Sequence, residues 1–463
     1  MVNTCRAALL ALLSLLLVTA CTRHNRAAVS LYEAGDYAGA ARAADDGLGR
    51  HPRDEGLWQM RIRAALALGD GEGVATAYRA YRETRSSDDR ALLRDLVVAT
   101  LRQALASPAA KIRIAAIESV AEAELQVLAE QVAERMGDTD DRVAAAAAVA
   151  VLRGFPQAPQ VAADMLRSDD AEARRIAVEG IGKKVGALAL VDLRRAVEDR
   201  DARVRRAALR WIGQLKDSES VEVVSERLRK DPDESVRGAA ALALARIGQG
   251  DLLAYAQQAL GDPAATVKLG AIELAIAARR PELLAALVED ADPMIAAEAS
   301  FSAGRGELAA KAVERASAST TWTVRAGAVN IAARALGKAA AIPLAKKLLA
   351  DPAVGVRFAA ARMLAQAGER DAAIPVFVAE LHGDGEIRAA TELADLGDAR
   401  GLAALAAATR DDGHRIADQR AAAVSAHRTV RKITPGLVAA LADPNGVVRV
   451  EAASAIAYLT RTR

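Results

Sequence analysis

The sequence predicts an all-α protein, a superhelical solenoid of antiparallel helix pairs. Three observations carry the prediction. Hydrophobic residues make up 52% of the 463 residues but aromatic residues only 3%. The apolar material is therefore mostly Ala, Leu and Val, and alanine leads the helix-propensity scale. From about residue 100 onward, one pattern returns twelve times at spacings of 28 to 32 residues. A period in that range is the signature of stacked supersecondary units. Before it, Gly-Asp pairs at 35 and 69 stand 34 residues apart.

Charge narrows the function classes. The 62 basic residues nearly cancel the 60 acidic ones, for a net +2, and only 11 of the basic residues are lysine. Such a balance argues against a dedicated nucleic-acid binder. The hydrophobic fraction excludes a disordered chain. The two cysteines, Cys5 and Cys21, leave the body of the chain without a disulfide framework or a cysteine metal site.

The first twenty residues read as a signal peptide. Arg6 gives a weakly positive start, and Ala7 to Val18 is apolar apart from Ser14. That run falls short of the roughly 20 residues that cross a bilayer. Val18-Thr19-Ala20-Cys21 comes next. This stretch resembles the lipobox of bacterial lipoproteins. The resemblance implies cleavage before Cys21, acylation of its thiol and new amino terminus, and a short tether over 21–26. Thr22 is not the Asp linked to inner-membrane retention, so the resemblance implies an outer-membrane lipoprotein facing the periplasm. An ordinary cleaved signal peptide stays open as the alternative.

Over 27–98, Leu31-Tyr32-Glu33-Ala34-Gly35-Asp36-Tyr37 is echoed by Leu66-Ala67-Leu68-Gly69-Asp70, with Ala40 and Ala44 after the first and Ala77, Tyr78 and Tyr81 after the second. The 34-residue spacing and the Gly-containing turns resemble tetratricopeptide repeats, implying two helical hairpins. Gly35 and Gly69 are expected to end helices in the left-handed region, cheap only for glycine. Two readings stand: a peptide-binding groove, or a cap stacked on the solenoid.

Over 99–463 the repeat aligns on Arg113, Ala144, Arg174, Arg205, Arg237, Lys268, Ala296, Arg325, Arg357, Arg388, Arg420 and Arg449. Six residues earlier, ten of the twelve units carry Asp or Ser, the exceptions being His382 and His414. These oxygens are expected to take free amides at a turn or helix start. Three residues after the aligned position, eleven units carry Ala and one carries Thr391. A small residue there lets helices approach closely. The pattern resembles HEAT repeats, most closely the short HEAT-like type of phycobilisome lyases. The resemblance implies about twelve helix pairs, with the Asp and Arg columns forming ladders between neighbours. An open stack of this length would be elongated, on the order of 100 Å. Irregular spacing predicts a kink or looser packing near 285–325.

Catalytic signatures are scarce. No His is followed by Glu, no Cys/His cluster occurs, and no Gly-x-x-x-x-Gly-Lys-Ser/Thr loop is present. No metal, cofactor or enzymatic activity is expected. Two features read as binding surface. Residues 194–210 hold seven arginines, of which Arg203, Arg206 and Arg210 share one helical face. Trp322 stands in a polar turn, either exposed for an interaction or closing a gap between irregular units. The sequence therefore predicts a lipid-anchored, non-catalytic scaffold for protein partners. The alternatives are a polyanion or cell-wall binder using the arginine face, and an accessory lyase.

Overall fold

The computed structural model describes residues 25–383 and 385–461. The expected signal peptide, Cys21 and most of the expected tether lie outside them. Among the described residues every regular element is helical and none is a strand. No helix there is long and apolar enough to cross a membrane.

The described chain forms two compact units. One runs over Glu130–Glu392; the other joins residues up to Ala129 with those from Leu393 onward.

In the second of these, a helix over 25–33 is followed by Tyr37–Arg50, Glu55–Ala67 and Gly71–Glu83. Gly35 (φ +82°) and Gly69 (φ +70°) make the predicted left-handed turns. Asp36 and Asp70 then cap the next helices by accepting from the amides of Gly39 and Gly73. These hairpins contact the segment directly after them, through Arg63 and Asp95, and also the far end of the repeat array. Helix Gly71–Glu83 packs against Pro435–Ala439, more than 350 residues later. Helix Gly446–Thr460 packs against its predecessor Ala417–Val430, and also against both Arg90–Leu105 and Ala110–Ala123. The Arg428 and Glu122 side chains pair across this contact. Within this unit the twelfth repeat thus meets the first.

In the 130–392 unit, the second helix of each repeat packs on the second helix of the next, from Asp141–Ala150 to Ala265–Ala277. The alanine column explains the close approach. All eleven alanines, from Ala116 to Ala452, are fully buried. The spacing anomaly has a local form. A six-residue 3-10 turn, Pro281–Ala286, replaces the first helix of its repeat. There Ile272, Ala275, Leu284, Leu287, Ile295 and Ala299 make a small cluster apart from the core over 148–274.

Of the two places expected for the Asp/Ser column, turn or helix start, it is the turn that these residues close. All ten residues accept from the amide two positions on, closing a side-chain turn, as Asp199 does from Asp201 and Ser168 from Asp170. The helix cap is instead the residue two later: Asp140, Asp170, Asp201, Asp233, Asp292 and Asn445 in six of the repeats. The column residue is thereby free to meet the preceding repeat.

Candidate partner-binding groove

The ladder fixes where each repeat sits. In Arg174, Arg205, Arg237 and Arg325, Nη1 donates to the carbonyl six residues earlier, at 2.8–2.9 Å. Nε and Nη2 then grip both oxygens of the next repeat's aspartate: Asp199, Asp231, Asp262 and Asp351. Arg420 grips Asp443 likewise, and Lys268 reaches Asp290 at 2.6 Å. The Arg237 fork holds the Asp262 carboxyl below its usual range, and Arg325 does the same to Asp351. These arginines are consumed by architecture, as the ladder resemblance implies.

In the repeats of Arg174, Arg205 and Arg237, the side chains of Arg175, Glu179, Arg206, Arg210 and Leu242, one or five places after the aligned residue, are at least partly exposed. Three consecutive second helices, Ala171–Lys184, Ala202–Leu215 and Glu234–Ile247, with the start of Ala265–Ala277, form a groove of about 480 Å³. Arg175, Arg203, Arg206, Arg210 and Arg246 line it, with Glu179 as the one acid. Ala207, Ala239, Leu242, Ala243 and Leu269 supply its apolar lining, and Leu269 is 44% exposed. Gly238 lets the floor close up, because a Cβ there would lie 2.9 Å from the Thr266 carbonyl oxygen.

The three sequence-predicted arginines are therefore brought together, but in different states. Arg203 forks onto Asp201, its own helix cap, and that hydrogen bond holds the Asp201 carboxyl down to about 2. Arg210 pairs with Glu179 and lies over the Trp211 ring at 5.3 Å, while Trp211 Nε1 donates to Glu179 at 2.7 Å. Arg206 and Arg246 are exposed, and neither forms an ion pair among the described residues. Elsewhere in the arginine run, Arg194 binds Asp217 and Glu219, and Arg200 reaches Asp169. The local positive excess is thus mostly spent, and what is left over sits in the groove.

Sequence reasoning missed Arg175, Arg246, Leu242 and Leu269 because they lie on neighbouring repeats. The signal was present: Arg175, Arg206, Gly238 and Leu269 each stand one place after the aligned column, and Glu179, Arg210 and Leu242 five places after it.

Trp322 is not part of this groove. It opens helix Trp322–Ala335, is 51% exposed, and lays its ring over Gly355 of the next repeat, where a Cβ would collide with it. Among the described residues no group of three or more His, Cys, Asp or Glu is placed to hold a metal ion.

The HEAT-repeat family model matches residues 158–245, 190–277 and 221–299, the span that contains the groove. No curated protein sequence matches the chain. Among solved structures, the chain is similar to the CpcE–CpcF complex of phycocyanin lyase from Nostoc sp. PCC7120. That match has 21% identity over 48% of this chain and 94% of that one, with a TM-score of 0.33. The myosin chaperone UNC-45 of C. elegans, in complex with an Hsp90 peptide, matches at 12% identity over 91% of this chain and 67% of that one, with a TM-score of 0.31. The karyopherin Kap121p bound to Ste12p matches at 12% identity over 85% of this chain, which spans about half (51%) of it, with a TM-score of 0.31.

Proposed function

Residues 158–299 are HEAT repeats, and from that premise we propose that the chain is a lipid-anchored interaction scaffold that holds an acidic segment of a protein partner in the groove over 175–269. The carrying observation is the pair Arg206 and Arg246, exposed, without ion-pair partners among the described residues, and set beside an apolar floor. Two forks with nothing to grip are matched by two carboxylates, and Leu242 and Leu269 by an apolar side chain between them. The reading is non-catalytic and takes no cofactor and no nucleic acid.

The anchor in this reading is Cys21, supported by Val18-Thr19-Ala20 before it and the apolar run before those. Acylation there would hold the scaffold at the envelope, at the outer membrane facing the periplasm. Two or more acyl chains anchor a protein stably. The two N-terminal hairpins, similar in sequence to tetratricopeptide repeats, belong to the same scaffold.

In-cell crosslinking of the tagged full chain, read by mass spectrometry, tests this. A reproducible envelope protein, lost with Cys21→Ala and again with Arg206→Glu/Arg246→Glu, is the expected result. Partners unchanged in both variants would overturn it. A second reading, a polyanion or cell-wall binder, is favoured by the excess of five arginines over one acid. Binding that collapses between 50 and 200 mM salt, roughly as phosphate contacts do, would select it.

A further inference from the structure

The unit that joins the two ends of the chain holds a second cavity of about 730 Å³, walled by Tyr32, Tyr37, Leu66, Leu96, Gln103 and Arg449 among others. Arg449 stands in the ladder column. Its Nη1 makes the column's usual bonds, to the carbonyls of Asp443 at 2.7 Å and Pro444 at 3.1 Å. In five sister arginines, Arg174, Arg205, Arg237, Arg325 and Arg420, Nε and Nη2 then take an aspartate of the next repeat. The repeat packed beyond Arg449 is the first one, whose column residue is Ser107. Among the described residues no carboxylate pairs with Arg449.

The other serines in the column show what makes this unusual. Ser168 follows Ala144, and Ser319 follows Ala296. In both places the cation and its acceptor are missing together, and Ser168 bonds Asp141 instead. Where His382 displaces the aspartate, Arg357 turns to Glu380. Arg449 is the one column cation for which the column residue of the repeat packed beyond it is a serine. Other charges at the cavity are already engaged: Arg63 pairs with Asp95 at 2.9 Å, and Asp443 with Arg420.

We propose that the empty rung is completed from outside: Arg449 binds a carboxylate of a partner polypeptide, seated in the cavity beside the Tyr32 and Tyr37 rings. The guanidinium is prepositioned by its two carbonyl bonds, so its free edge loses little freedom on binding. The tyrosine pair, with centroids 5.1 Å apart, and Leu66 and Leu96 give the adjoining apolar surface. The site is independent of the groove over 175–269.

The test uses the full chain in detergent and three pools of fluorescein-labelled pentapeptides, randomised elsewhere. One carries Asp or Glu centrally with an amidated end, one has a free C-terminal carboxylate and no acidic side chain, and one is amidated with Asn or Gln. Saturable binding of one carboxylate pool, at least about tenfold weaker in Arg449→Gln and unchanged in Arg206→Glu/Arg246→Glu, is expected. Which pool binds distinguishes a side chain from a chain terminus. Gln103→Glu is the second variant. It supplies an internal carboxylate and should abolish binding without destabilising the fold. Equal binding of the neutral pool, no saturable binding by any pool, or binding indifferent to both variants would overturn the proposal.

Discussion

Arg205 donates to both carboxylate oxygens of Asp231 in the following repeat, at 2.8 and 2.7 Å, while its third nitrogen holds the carbonyl of Asp199 at 2.8 Å. The Asp231 side chain is fully buried and Arg205 is 10% exposed. One side chain thus fixes both the turn of its own repeat and the position of the next.

Removing one member of that rung strands the other. Arg205→Ala leaves Asp231 charged in the interior, and breaking a buried pair this way costs about 3–5 kcal/mol. Urea unfolding should show that loss. The double variant Arg205→Met/Asp231→Leu should recover most of it, because two apolar groups carry no desolvation cost. Equal losses in both variants would refute the account.

Helix spacing should be intolerant of a single methyl. A Cβ on Gly213 would lie 2.7 Å from the Ala243 Cα. Backbone cannot yield as a flexible side chain does. Gly213→Ala should therefore destabilise by about 1–3 kcal/mol despite its gain in helix propensity. A raised Tm would show that the helices can move apart freely.

Acid should weaken the fold in two stages. His427 is fully buried, its Nδ1 donating to the Ala423 carbonyl at 2.8 Å and its Nε2 accepting from the Thr434 hydroxyl at 2.9 Å. Burial pushes its pKa below the ordinary 6.5. The folded state favours the neutral ring, so stability is complete above 6.5 and falls as pH drops from there toward the folded value. His427→Gln should flatten this stage. The second stage belongs to Asp262 and Asp351, held below the ordinary 3.8 by Arg237 and Arg325. Their contribution is present above 3.8 and is lost as pH falls through the folded values. Denaturation midpoints measured from pH 8 to pH 2.5 check both stages.

Groove binding should depend on the unpaired forks. Arg206→Glu/Arg246→Glu should weaken partner binding at least about tenfold with an unchanged melting curve. Arg203→Gln, whose fork is occupied by Asp201, should weaken it less. The reverse order would mean that Asp201 releases Arg203 on binding.

Much of this was legible because a repeat shows the same physics many times over. Asp six places before Arg, and Ala three places after it, return too regularly to be sites, and the structure places them in rungs and helix contacts. For the Asp/Ser column, turn and helix start were both open, since Asp199 and Asp201 both offer a carboxylate and only geometry separates turn from cap. Within the groove, the single-helix reading found Arg203, Arg206 and Arg210 and missed Arg175 and Arg246, which adjoin them only through stacking. The setting of Arg449 had no local signal at all, because its neighbour beyond the twelfth repeat is the first.

That contact also dictates an order of folding. The 130–392 unit is continuous in sequence, so all of its internal contacts are available as soon as it has been made. Those of the other unit are not. Leu93, Leu96 and Val97 on Arg90–Leu105 are buried, yet the helix covering that element, Gly446–Thr460, is synthesised more than 340 residues later. Contacts between residues as distant as Glu122 and Arg428, 306 apart, make closure slow more than they make it weak. The amino-terminal helices must wait, apolar faces open, until the end of the chain arrives. A chain cut short before Gly446 would keep the HEAT-matched span whole and lose the unit that gathers its two ends.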